Sequence, residues 1–110
     1  MKIVPFLLVL AVSGCAGTAA GIRDNAPFYA AKTDKKGQQV VECVAPKWAN
    51  IYGTPSVVPS PEGASIIVGT DLGPELILDA KDDGSVVFYK ANKLWGSKDD
   101  RMREAVQACL

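Results

Sequence analysis

The chain has 110 residues, 12 of them basic and 12 acidic, and no histidine. That length supports one small core and no more. The balanced charge gives nucleic acid no electrostatic footing, and the missing histidine removes the commonest general base, the commonest metal ligand and the Ser-His and Cys-His nucleophile pairs.

Met1-Lys2 supplies one positive charge, and Ile3 to Val12 is an apolar run broken only by Pro5. This run is far shorter than the ~20 residues a bilayer-spanning helix needs, and it suits the core of a signal peptide. Its end, Leu10-Ala11-Val12-Ser13-Gly14-Cys15, resembles a bacterial lipobox: an aliphatic residue, two small residues that enter a peptidase site extended, then cysteine. The resemblance implies removal of residues 1–14 and lipidation of Cys15, with acylation of its freed amine. One acyl chain binds a membrane marginally, and two or more hold it stably. Ala16 rather than Asp follows Cys15. In the same signal class this implies export to the outer membrane of a Gram-negative envelope, on the inner leaflet facing the periplasm. The bland alternative is an ordinary secretory signal cleaved after Ala16 or Ala20.

The three cysteines would leave an odd thiol in an oxidising compartment. Lipidation of Cys15 leaves Cys43 and Cys109 as a pair, which the periplasm would oxidise to a disulfide. A redox role has no Cys-x-x-Cys motif to support it.

Residues 15–37 are expected to be the lipidated cysteine and a flexible tether. They are rich in Ala, Gly, Lys and Asp and show no sustained period; Pro27-Phe28-Tyr29 is their one apolar knot. A globular domain is expected over 38–110. Val41, Val44, Ala45, Trp48, Ala49 and Tyr52 recur at helical spacing, and Gly53 stops the run. Pro46 conflicts with this pattern. The helix begins near Glu42 or Cys43, or it is kinked, or a strand over 39–45 precedes a short helix from Pro46; a helix is the preferred reading.

A meander follows. Residues 54–58 read as an edge strand because Pro55 and Pro59 cannot donate to a ladder. Strands are expected over 64–69, 75–80 and 85–90, with turns at 59–63, 71–74 and 82–84. Asp82-Asp83-Gly84 is the strongest hairpin signal in the chain. Ser97, with Asp100 three residues on, opens a final helix in capping-box fashion, and Asp99 and Asp100 suit its positive end. Met102, Ala105, Val106 and Cys109 mark its apolar face. The expected fold is α+β: an antiparallel meander of three or four strands, with an N-terminal and a C-terminal helix on one face, joined by the Cys43–Cys109 disulfide.

From Val40 to Leu110 the chain resembles a loose group of small, uncharacterised proteobacterial lipoproteins. The carrying residues are Val41-Glu42-Cys43-Val44-Ala45-Pro46-Lys47-Trp48, Gly84-Ser85 leading into Phe88-Tyr89, and Ala105-Val106-Gln107-Ala108-Cys109. Pro46 departs from the small residue expected there. The resemblance implies this fold and this disulfide, and no activity.

Asp79, Asp82 and Asp83 come nearest to a cation site, but they lack the ligand spacing of an EF-hand. Turn formation and solvated charge are the better reading, so neither metal nor cofactor is expected. Phe88, Tyr89, Lys90 and Trp95, beside Lys93, are a candidate partner-binding patch, because aromatic faces flanked by lysine suit glycans or proteins. Against this, strand alternation sends one of Phe88 and Tyr89 inward, and Trp95 packs where strand meets helix. Trp48 lies on the apolar helix face and reads as core. The sequence therefore points to a non-catalytic envelope protein, anchored through Cys15, whose periplasmic domain binds an envelope protein or glycan. The alternatives are an inhibitor of lysozyme-type enzymes acting through loop 59–63 or 71–74, and a phage- or plasmid-encoded exclusion lipoprotein.

Overall fold

Alternation along three strands builds one buried wall. In the computed structural model, which describes residues 19–70, 73–91 and 98–110, the elements are α1 (Ala19–Arg23), β1 (Tyr29–Lys32), α2 (Gly37–Ala49), β2 (Pro55–Ser60), β3 (Gly63–Thr70), β4 (Gly73–Lys81), β5 (Ser85–Lys90) and α3 (Lys98–Gln107). The strands form one sheet in the order β1-β5-β4-β3-β2, with every neighbouring pair antiparallel. Ala64, Ile66 and Val68 of β3, Leu76, Leu78 and Ala80 of β4, and Val86 and Phe88 of β5 share one buried face. Helix α2 packs Val40, Val41, Val44 and Trp48 into that core, and α3 adds Met102, Ala105 and Val106.

Trp48 sits at the join. Its ring centroid lies 5.0 Å from that of Phe88, and its indole N–H donates to the Met102 carbonyl at 2.9 Å. A buried indole needs such an acceptor, and here the acceptor belongs to the other helix.

Helix α2 is continuous through Pro46, which lies in its last turns. Pro46 removes one backbone bond, the one the Glu42 carbonyl would accept. Both residues are exposed, where solvent can satisfy that carbonyl. The start of the helix is fixed by groups that the proline leaves untouched. The Gln39 side-chain oxygen accepts from the Lys36 N–H at 2.9 Å, and Asp82, from the turn between β4 and β5, accepts from the Gly37 N–H at 2.9 Å. Gly37 is buried against that turn, and a Cβ there would collide with the Ala80 carbonyl and lie 2.9 Å from the Gly63 Cα. Backbone cannot yield as a flexible side chain does. Gly37→Ala is expected to cost about 1–3 kcal/mol or more, read by urea denaturation; a neutral effect would show that the helix start can shift.

The disulfide joins Cys43 of α2 to Cys109 just beyond α3, with 5.8 Å between Cα atoms and a sequence separation of 66. The chain end is held twice more. The Thr33 hydroxyl donates to the Leu110 carbonyl at 2.9 Å, and Lys35 Nζ to the Cys109 carbonyl at 3.0 Å.

Several expectations need correction. The sheet has five strands rather than three or four. The addition is β1, paired with β5 from Tyr29↔Phe88 to Lys32↔Ser85. It lies within the stretch read as tether, which from Ala19 onward belongs to the fold. A second helix layer is also present: α1 packs against β4 and β5 on the face away from α2 and α3. There Ile77, which alternates with Leu76 and Leu78, is fully buried, and Ile22 of α1 is buried at 6% exposure. The turn at 59–63 shrinks to Pro61-Glu62, because β2 and β3 pair as far as Ser60↔Gly63. Ser97, the expected cap of α3, and residues 71–72 lie outside the described residues. Asp99 is buried at 5% exposure, with Lys90 Nζ 3.1 Å from its carboxylate; it bridges strand to helix as well as sitting in the first helical turn. Among the described residues no helix is long and apolar enough to cross a membrane.

Candidate functional site

Among the described residues the densest polar arrangement lies on the α1 face. Ile22 turns down onto the sheet, which carries the next residue, Arg23, over β4. Its guanidinium grips Asp79 with two bonds, Nε to Oδ2 at 2.9 Å and Nη2 to Oδ1 at 2.8 Å. Ser65, opposite Asp79 on β3, donates its hydroxyl to Oδ1 at 2.7 Å. A bidentate pair of this kind fixes direction as well as charge. Burial works to raise the Asp79 pKa, but the hydrogen bonds from Arg23 and Ser65 and the charges of Arg23 and Lys81 outweigh it and hold the carboxyl below its ordinary range. The hydrogen bond to Asp79 likewise raises the pKa of Arg23.

Beside this pair opens a cleft of about 290 Å³, whose polar lining is Arg23, Ser60, Glu62, Ser65, Asp79 and Lys81. Two cations face two carboxylates, so the cleft has no net charge. Because the folded pKa of Asp79 is depressed, its ion pair stabilises the fold above the ordinary carboxylate range, and that contribution is lost as pH falls through the folded value. Asp79→Asn should therefore lower the melting temperature at pH 7. The gap to the parent should close on acidification below about pH 4; a gap independent of pH would mean that the pair contributes nothing.

The three carboxylates that resembled a cation site are each used locally. Asp79 holds Arg23, Asp82 caps α2, and Asp83 accepts from the Ser85 N–H at 2.9 Å and the Ser85 hydroxyl at 2.8 Å. Those bonds, the backbone one first, pull the Asp83 pKa down. Among the described residues no group of three or more His, Cys, Asp or Glu side chains is placed to hold a metal ion.

The described members of the aromatic patch do not share one surface. Phe88 is wholly buried, edge-on to Phe28 with 5.3 Å between centroids. Tyr89, its neighbour on the strand, is half-buried on the opposite face. Lys90 lies 4.6 Å over the Phe28 ring and pairs with Asp99. Trp95 and Lys93, like Cys15, lie outside the described residues. Alternation separates Phe88 from Tyr89, so the two cannot present one surface.

No family model, curated protein or solved structure matches the chain.

Arg23 and Ser65 went unnoticed in the sequence. Arg23 sits in a polar stretch 56 positions from Asp79, and no local pattern signals such a pair. Among the described residues the exposed large apolar side chains are Val57 and Val58 at 40% and 44% exposure, both on the edge strand β2. A two-residue hairpin makes Ser60↔Gly63 a hydrogen-bonded pair, so Pro55, Val57 and Pro59 turn their backbone outward. Of these only Val57 has an N–H to offer, and the prolines therefore blunt the edge against strand addition. Loop 59–63 is reduced to a two-residue turn, Pro61-Glu62, at an exposed hairpin tip.

Proposed function

We propose that this is a non-catalytic, lipid-anchored protein of the bacterial cell envelope whose small domain binds another envelope component. The observation that carries the reading is the pairing of Cys43 with Cys109. It accounts for both other cysteines and leaves Cys15, the cysteine of the lipobox pattern, free to take lipid. Such a bond belongs to oxidising compartments, the destination that a lipoprotein signal gives. The most concentrated polar groups, Arg23, Ser65 and Asp79, are engaged in holding α1 to the sheet, which suits a scaffold better than a reaction centre. Ala16 after the anchor favours the inner leaflet of the outer membrane, with the domain in the periplasm and an envelope protein or glycan as its partner. The test is crosslinking in intact membranes with a lysine-reactive reagent, followed by affinity copurification. A discrete adduct is expected, and a chain that crosslinks to nothing would overturn the binding role.

A further inference from the structure

We propose that the α1 face of the sheet lies against the phospholipid headgroup layer, with α2 and α3 turned toward the aqueous compartment. This rests on the reading of Cys15 as the lipidated residue.

The leash is short. Only residues 16–18 separate Cys15 from Ala19, the first residue of α1. Four backbone steps of at most ~3.5 Å each reach about 14 Å. Helix α1 is fastened to the sheet by the burial of Ile22 and by the two bonds from Arg23 to Asp79, so the leash starts from a fixed place on one face. A sheet with a helix layer on either side, each layer about 10 Å thick, puts the outer surface of α2 roughly 25 Å from α1. A leash of ~14 Å cannot pass around such a body. The lipid therefore pulls the α1 face toward the bilayer and holds the α2 and α3 face away from it.

Charge does not compete with this placement. The face and its rim carry Arg23, Lys32 and Lys81 on one side of the balance, and Asp24, Glu62, Asp79 and Asp83 on the other. Asp79 is tied to Arg23, and Asp83 feels both Lys32 and Lys81. An excess of one acidic residue supplies no attraction to anionic headgroups and little repulsion, so the contact is set by chain length and depends little on salt.

The test uses the full acylated chain in vesicles of phosphatidylethanolamine and phosphatidylglycerol. With Cys43 and Cys109 bonded and Cys15 acylated, an introduced cysteine is the free thiol for a fluorophore. Ala30→Cys places it on β1, beside Val87 on the α1 face, and Lys47→Cys places it on α2; both positions are exposed. A lipid with a nitroxide on its headgroup should quench the Ala30→Cys label at least about threefold more than the Lys47→Cys label, in low and high salt alike. Equal or reversed quenching would overturn the placement. A flexible insertion of sixteen Gly and Ser residues between Ala16 and Gly17 should bring the ratio toward one; an unchanged ratio would overturn the leash as its cause. Mass spectrometry of the same sample separates the two readings. An unacylated Cys15 removes the anchor and this placement together, whereas an acylated Cys15 with equal quenching removes the placement alone.

Discussion

Replacing Cys43 and Cys109 together by alanine is expected to lower the stability of the domain by up to about 4 kcal/mol. The bond closes a loop of 66 residues, and a long loop removes more freedom from the unfolded chain than a short one. The loss is large against the ~5–15 kcal/mol that a whole domain typically holds. At ~4–8 °C per kcal/mol for a domain this small, the full loss would lower the melting midpoint by about 15–30 °C, and a smaller loss by proportionately less. The variant should still fold. Helix α3 keeps Met102, Ala105 and Val106 in the core, and Thr33 and Lys35 still hold the chain end. Urea denaturation of parent and variant measures the difference. A loss under about 1 kcal/mol would mean that the unfolded chain is already constrained, or that packing alone clasps the two helices.

The second large effect is expected at Trp48. Trp48→Ala should cost about 3–5 kcal/mol, because the ring is fully buried and its removal leaves a cavity between α2, α3 and Phe88. Trp48→Phe separates volume from hydrogen bonding. It keeps an aromatic ring near Phe88 but loses the donor to Met102, for a cost of about 1–3 kcal/mol. Trp48 and Cys43 lie on the same helix and both fasten it to the C-terminal segment. Combining Trp48→Phe with loss of the disulfide should therefore depart from additivity, as neighbouring sites do. Additive losses would show that the two clasps act independently.

Much of the fold was legible in local pattern. The helical spacing from Val41 to Tyr52, the apolar runs of β3, β4 and β5, and the turn at Asp82-Asp83-Gly84 each carry their own period or breaker. Strand β1 does not. Tyr-Ala-Ala-Lys is too short and too small-residued to alternate, and it becomes a strand only because β5 offers an edge to it. Helix α1 is likewise made by what it covers, since Ile22 has a buried place only once Ile77 is turned to that face. The start of α2 escaped for a related reason: the group that accepts from Gly37 is Asp82, across the sheet. Asp82 was legible as a turn residue, and its second role needed the third dimension. The site followed the same rule. Arg23 and Asp79 meet only in the folded chain, whereas Phe88 and Tyr89, neighbours in sequence, point to opposite faces of the sheet. Alternation, read strictly, already argued against that patch.

Intact and peptide-level mass spectrometry of the membrane-extracted protein tests the account most directly. The expected result is a chain beginning at Cys15 with two or three acyl groups on that residue, together with a Cys43–Cys109 peptide pair that gains two hydrogens on reduction. A free Cys15 thiol in the mature chain, or a disulfide linking Cys15 to Cys43 or Cys109, would contradict it.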